Sequence, residues 1–151
     1  REDPRVFEHN LKIVADVYQS ARERGLPAVV ETTLWGRRIE NDLDGEKLLH
    51  ANRIGFETGA DVLKTFYPDD PGVFERIVKH SPVPVYVAGG EAEDDDVETL
   101  RMVKSVIDAG AAWIMFGRTI WQHDEPAAMI GAIRKVIQED ESASVAAEQL
   151  L

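Results

Sequence analysis

One lysine, Lys64, stands inside an apolar stretch with the sequence Val62-Leu63-Lys64-Thr65-Phe66. Strands of a parallel sheet are buried on both faces, and lysine is rarely buried without a specific role. Desolvation favours the neutral amine, and a neutral amine can attack a carbonyl carbon to form a Schiff base. The alternative is a lysine at the end of the strand, with a buried stem and a solvated ammonium group. The other lysines fall in segments with helical patterns: Lys12, Lys47, Lys79, Lys104 and Lys135.

Two glycine-containing segments, Gly89-Gly90 and Gly117-Arg118, each follow an apolar stretch directly. Glycine lets a phosphate approach backbone N–H groups closely, and arginine supplies a bidentate donor. The two segments together therefore indicate a phosphate site. The alternative is ordinary turn formation, because glycine ends many strands.

Polar side chains also end the first apolar stretch, which covers residues 27–34. Side chains alternate across a strand, so Glu31 and Thr33 are expected to share one face. A carboxylate in that place can shuttle protons or hold an ammonium group. The alternative is a structural ion pair of Glu31 with Arg37, Arg38 or another neighbour.

The remaining polar residues carry no metal or nucleotide motif. The histidines, His9, His50, His80 and His123, lack metal-ligand spacing, so we expect surface roles for them. Asp94-Asp95-Asp96 is interpreted as a solvated loop whose last residue caps the next helix. Because the chain has no cysteine, disulfides, thiolate chemistry and cysteine-ligated zinc are excluded. We expect no metal and no cofactor.

Strands alternate with helices along the chain, which predicts βαβ units and a parallel sheet. The predicted strands cover 27–34, 60–67, 82–88 and 111–116, and the predicted helices cover 5–25, 44–59, 72–80, 97–109 and 127–138. A doubly wound sheet fits this length, whereas a (β/α)8 barrel needs about 250 residues. Four units would be half of such a barrel.

The composition bounds the class of protein. A chain of 151 residues predicts one domain, and 44% hydrophobic residues suit a packed core. The net charge of −11 argues against nucleic-acid binding, and no apolar run is long enough to span a membrane. The chain begins at Arg1 rather than Met, so we expect a processed, truncated or engineered piece.

Five segments follow one another in a combination known from one enzyme family: Gly59–Pro68 (GADVLKTFYP), Phe74–Val78 (FERIV), Val83–Gly90 (VPVYVAGG), Asp108–Ala112 (DAGAA) and Phe116–Gln122 (FGRTIWQ). In these segments the chain resembles the archaeal-type class I fructose-bisphosphate aldolases. That family belongs to the Schiff-base aldolases, with deoxyribose-phosphate aldolase and aminodideoxyheptulosonate synthase. The resemblance runs in the family's order from Leu26 to Ile137.

The resemblance implies an α/β fold, a (β/α)8 barrel whose strands five to eight lie in residues 1–138. Residues 139–151 are expected to be a polar tail or short helix. The resemblance also implies that Lys64 forms the Schiff base. It places the substrate phosphate at Gly89, Gly90, Gly117 and Arg118. It further implies a cytoplasmic homo-oligomer without nucleic-acid or membrane partners, and a role in glycolysis or gluconeogenesis.

The implied reaction is the reversible cleavage of a C–C bond in a phosphorylated ketose or aldehyde. One alternative is a related transaldolase or thiolase-like Schiff-base enzyme acting on another phosphorylated carbonyl compound. Another is a non-catalytic phosphate-binding fragment in which Lys64 only contacts phosphate. A third is an inactive half-barrel whose open edges pair with a second copy or a missing half.

The chain departs from the family pattern at the end of its first strand. The family carries an aromatic-Ser-Tyr-Pro-Arg-Gly run there, with the tyrosine as general acid/base. The matching stretch here is Glu31-Thr-Thr-Leu-Trp-Gly36, with Thr33 at the tyrosine position and Glu31 at the other inward position. We therefore expect Glu31 or Thr33 to transfer protons. The family's aspartate near the first strand has no counterpart in this chain.

Overall fold

The structure is a computed structural model that describes residues 4–37, 39–90, 95–148 and 150. Its elements are α1 (Pro4–Glu23), β1 (Val29–Thr32), α2 (Gly45–Glu57), β2 (Val62–Thr65), α3 (Pro71–His80), β3 (Val85–Ala88), α4 (Asp96–Asp108), β4 (Trp113–Met115), α5 (Arg118–Trp121), α6 (Pro126–Gln138) and α7 (Ala143–Ala147). The predicted alternation of strands and helices is confirmed. The strands are shorter than predicted, and the short helix α5 was not predicted.

The strands follow the order β1-β2-β3-β4 in the sheet, and β1 pairs with β2 in parallel. The chain divides into two compact units, Arg1–Tyr86 and Val87–Leu151. The division falls within β3. The predicted single domain over residues 1–138 stays a prediction.

In the first unit, α2 packs against β1 and β2, and α3 packs against α2. Leu48, Leu63, Phe74 and Ile77 form a fully buried apolar core there. Both helices begin at an aspartate, because Asp44 accepts a hydrogen bond from the Lys47 backbone N–H and Asp70 accepts one from Gly72. Such N-caps satisfy backbone donors that a helix leaves unpaired.

Helix α1 has the predicted helical periodicity, but it contains no buried residue. Val6, Phe7, Ile13 and Val17 of its apolar face are all exposed. The predicted helix is therefore confirmed, and its apolar face lies exposed. The Tyr18 hydroxyl of α1 donates a 3.3 Å hydrogen bond to Asp61, the residue before β2.

In the second unit, α4, α6 and α7 pack together around one apolar cluster. Its buried members are Leu100, Val103, Met129, Ala132, Ile133, Val136, Ala143, Ala146 and Ala147. The segment 139–151 thus contributes a short packed helix, α7. Asp95, not Asp96, is the N-cap of α4, because its carboxylate accepts from the N–H groups of Val97 and Glu98. Within the described ranges, no helix is long and apolar enough to cross a membrane.

Candidate active site

Lys64 and Glu31 are direct neighbours on adjacent parallel strands. The register of β1 and β2 pairs Glu31 with Lys64, and residues paired in this way project to the same face of the sheet. Lys64 Nζ lies 2.9 Å from Glu31 Oε1, within the distance of a charge-assisted hydrogen bond. The side chain of Lys64 is 21% exposed and that of Glu31 is 46% exposed. A small molecule can therefore reach the amine, although most of the lysine stem is covered.

The structure shows an ion-pair partner for the Glu31 carboxylate, and that partner is Lys64. A role of Glu31 in proton transfer stays a prediction. Arg38, one of the predicted alternatives, lies outside the described residues. Thr33 follows the last residue of β1 and is partly buried. The strand ladder thus holds Glu31 directly, whereas Thr33 is one residue beyond it.

A buried polar cluster lies beside the pair, and the sequence analysis missed it. Thr32, Asn52 and Thr65 are 7%, 3% and 0% exposed. The Asn52 amide donates to Thr65 Oγ1 at 2.9 Å and to the Leu48 carbonyl oxygen at 2.8 Å. The Thr32 hydroxyl lies 3.1 Å from Asn52 Oδ1 and 3.3 Å from the carbonyl oxygen of Lys64. The available signal was an asparagine four residues after Leu48, on the apolar face of α2.

The predicted phosphate residues all lie in the second unit or at its start. Gly89 and Gly90 follow β3 directly, Gly117 is the N-cap residue of α5, and Arg118 is its first residue. A Cβ on Gly89 would lie 2.9 Å from Thr119 Oγ1 and 3.0 Å from Phe116 Cδ1, so a side chain does not fit there. Gly89 therefore packs against the two residues that flank Gly117-Arg118. Among the residues that the structure describes, a Cβ on Gly90 would meet nothing within 4 Å.

His123 makes hydrogen bonds through both of its ring nitrogens. Its Nε2 lies 3.1 Å from Asp96 Oδ1, and its Nδ1 accepts a 2.9 Å hydrogen bond from the backbone N–H of Glu125. Because Nδ1 is an acceptor, Nε2 carries the proton and donates to Asp96. His123 thereby connects the start of α4 with the segment that follows α5. The side chain is partly buried, at 16% exposed, and the surface role expected for it stays a prediction.

The other histidines lie on helices α1, α2 and α3, as predicted. Across the part of the chain that the structure describes, no three His, Cys, Asp or Glu side chains are grouped so that they could hold a metal ion. Of the predicted acidic loop, residue 94 lies outside that part. Lys64, Glu31 and Thr33 belong to the first unit, and the phosphate candidates follow in the chain.

Comparison with known proteins places these residues in a family context. The model of the DeoC/LacD family aldolases matches residues 2–123. A 2-amino-3,7-dideoxy-D-threo-hept-6-ulosonate synthase of Halobacterium salinarum is 39% identical over 127 residues, which are 84% of this chain and 47% of the relative. A 3-hydroxy-5-phosphonooxypentane-2,4-dione thiolase of Photorhabdus laumondii is 36% identical over 96% of this chain and 48% of its own length.

The similarity extends to solved structures. An archaeal fructose 1,6-bisphosphate aldolase superposes with a TM-score of 0.80 at 31% identity, over 84% of this chain and 51% of its own. A second such aldolase, with its catalytic lysine bound to the carbinolamine intermediate of the substrate, matches equally well at 30% identity. The chain spans about half the length of the curated relatives it matches. The predicted fold, about four strand–helix units of a (β/α)8 aldolase barrel, is confirmed by this similarity. The chain belongs to the DeoC/LacD family of aldolases.

Proposed function

We propose that this chain carries the Schiff-base half of a class I aldolase that reversibly cleaves a C–C bond in a phosphorylated ketose or aldehyde. The observation that carries the proposal is the Lys64–Glu31 pair, an amine and a carboxylate 2.9 Å apart on neighbouring strands of an aldolase-family fold. A lysine nucleophile needs a nearby group that can take its proton, and Glu31 is within reach of that proton.

In the proposed reaction, Glu31 accepts a proton from the Lys64 ammonium, and the freed amine attacks the substrate carbonyl carbon. The resulting carbinolamine loses water, with the proton returned from Glu31, and becomes an iminium. The bond between the α and β carbons then breaks, and its electron pair forms an enamine. The Glu31 carboxylate takes the proton of the β hydroxyl, and the β carbon becomes an aldehyde. Protonation of the enamine and hydrolysis release the second product and restore the amine. The iminium supplies the polarisation that a metal would provide, so no metal is proposed.

We further propose that Gly89, Gly90, Gly117 and Arg118 bind the substrate phosphate. Three features support this role: the close packing of Gly89 on Thr119, the open backbone at Gly90 and the exposure of Arg118. A phosphate held away from the reacting carbons positions the substrate and supplies binding energy for the chemical step.

A second candidate is a related Schiff-base enzyme that transfers a group between phosphorylated carbonyl compounds. The observation that favours it is the Thr33 position, because a threonine hydroxyl is a much weaker acid than the phenol of the family's tyrosine. The named thiolase relative also matches 96% of this chain. The two candidates share Lys64 and differ in the second substrate.

Borohydride reduction tests the proposal. The protein is incubated with dihydroxyacetone phosphate or fructose 1,6-bisphosphate, reduced, digested and mapped by mass spectrometry. We expect a stable adduct on Lys64 and none on Lys12, an exposed lysine of α1. An adduct on other lysines alone, or on none when a full-length barrel version is included, would contradict the proposal. An adduct without cleavage of fructose 1,6-bisphosphate would favour the second candidate.

A homo-oligomer, a cytoplasmic location and a role in glycolysis or gluconeogenesis remain predictions from the family resemblance. Sedimentation equilibrium measures the first of them. A mass well above the 16.9 kDa of one chain is expected, and a single species of that mass would contradict it.

A further inference from the structure

The buried cluster of Thr32, Asn52 and Thr65 lies directly behind the Lys64–Glu31 pair. The strand register pairs Thr32 with Thr65 in the same way as it pairs Glu31 with Lys64. Because side chains alternate along a strand, each member of the reactive pair is followed by a threonine that projects to the opposite face. Both threonines are buried on that face, where they meet Asn52 of helix α2.

Asn52 connects the two strands through one side chain. Its two amide hydrogens go to Thr65 Oγ1 and to the Leu48 carbonyl oxygen, and its Oδ1 faces the Thr32 hydroxyl. The same Thr32 hydroxyl lies 3.3 Å from the carbonyl oxygen of Lys64. The cluster therefore reaches the backbone of the lysine itself and links it to β1, which carries Glu31.

Gly55 allows the helix to come this close. A Cβ at Gly55 would lie 2.7 Å from Thr32 Cγ2 and 2.8 Å from Leu63 Cδ2, so only glycine permits the observed approach. Gly55 follows Asn52 by three residues and so lies on the same face of α2. The close contact places the Asn52 amide within hydrogen-bonding distance of both strands.

A buried amide is costly to desolvate and returns only a small net gain when it is hydrogen-bonded. An apolar residue at this place would serve core packing equally well. The cluster is therefore better explained by a role in orienting Lys64 and Glu31 than by a gain in the stability of the fold. We infer that Asn52 is a positioning residue, which acts through Thr32 and Thr65 to hold Lys64 Nζ beside Glu31. The expected effect on catalysis rests on the proposed function, whereas the expected effect on the position of Lys64 does not.

Two variants and one control test the inference. Asn52→Leu removes the amide at similar volume, and Thr65→Val removes one hydrogen-bonding oxygen with the smallest change of shape. Leu48→Ala is the matched control, because it opens a cavity on the same helix and leaves the side-chain cluster intact. Each is made in the full chain, and the unfolding midpoint of each is recorded.

The first measurement needs no substrate. The rate at which trinitrobenzenesulfonate modifies Lys64 is measured relative to that of Lys12 by mass mapping. A lysine that leaves its carboxylate partner loses a charge-assisted hydrogen bond and becomes more accessible, so we expect Asn52→Leu and Thr65→Val to raise the relative rate about threefold or more. The control should leave the relative rate unchanged, although its unfolding midpoint falls.

The second measurement uses borohydride trapping with dihydroxyacetone phosphate. We expect the maximal trapping rate to fall about tenfold in both variants with half-saturation nearly unchanged, because positioning affects the chemical step more than binding. If neither variant raises the labelling rate of Lys64, the inference is wrong, and Thr65→Val decides this even if Asn52→Leu does not fold. If the wild-type protein is not trapped at all, the proposed function fails, while the labelling experiment still decides the role of Asn52.

Discussion

Lys64 Nζ lies 2.9 Å from Glu31 Oε1 because the parallel register of two short strands pairs these residues directly. Neither residue belongs to a flexible loop, so the ladder of backbone hydrogen bonds fixes the distance between their Cα atoms. The pair combines a nucleophile with a group that can take its proton, which is the minimum arrangement for Schiff-base chemistry. The predictions below separate the contribution of each part of the site.

Replacement of Lys64 by methionine should abolish turnover and borohydride trapping, because no other amine occupies this strand position. Binding of dihydroxyacetone phosphate should persist, since the phosphate is proposed to bind elsewhere. Isothermal titration and a cleavage assay of the full chain measure the two effects. The matched Lys12→Met variant should behave like the wild type. Turnover in Lys64→Met would refute the assignment.

Replacement of Glu31 by glutamine keeps the size of the side chain but removes its ability to carry a proton. A positioned acid/base contributes about 10² to 10⁴ in rate, so we expect a decrease of that order in the maximal trapping rate. The control is Glu46→Gln, which alters an exposed glutamate paired with Arg76. An equal loss in both variants would show that the effect of Glu31→Gln is not specific to proton transfer.

Two adjacent glycines should respond differently to alanine. The methyl group of Gly89→Ala would overlap Thr119 and Phe116, so we expect a loss of about 1–3 kcal/mol in the free energy of unfolding and weaker phosphate binding. Gly90→Ala meets no described neighbour within 4 Å and should keep the wild-type stability, yet its methyl group would obstruct an approaching phosphate. Urea denaturation and titration with inorganic phosphate measure both quantities. Wild-type phosphate affinity in Gly90→Ala would argue against this site.

The N-cap of α2 should make stability depend on pH. Hydrogen bonds from the Lys47 side chain and then from its backbone N–H hold the pKa of Asp44 below its ordinary value of 3.8. A lowered native pKa stabilises the fold above the unfolded-state pKa, and this stabilisation is lost as the pH falls through the native value. Asp44→Asn should therefore unfold at a lower temperature than the wild type at pH 7, and the difference should shrink below pH 3.8.

Thermal unfolding followed by circular dichroism between pH 2 and pH 7 measures this difference. The control is Asp42→Asn, which changes an exposed carboxylate of the preceding loop. Its midpoint should follow the wild type at every pH. A constant difference between Asp44→Asn and the wild type at all pH values would contradict the assignment.

The sequence by itself determined the order of strands and helices, because hydrophobic periodicity and helix caps are local properties of the chain. It also singled out Lys64, since a lysine among buried strand residues stands apart from lysines on helices. The glycines after β3 and β4 were visible for the same reason. The family resemblance rested on these local segments as well.

The tertiary structure decided which of these residues meet. Strand register is a non-local property, and it placed Lys64 beside Glu31 at ion-pair distance. Helix-to-sheet packing buried Asn52 against two threonines. The sequence places Asn52 on the apolar face of α2 but does not show which residues it meets. The same pattern of apolar residues that marks a core helix occurs in α1, yet its apolar face is exposed here. Periodicity specifies which face of an element is apolar, and only the assembled neighbours decide what covers that face.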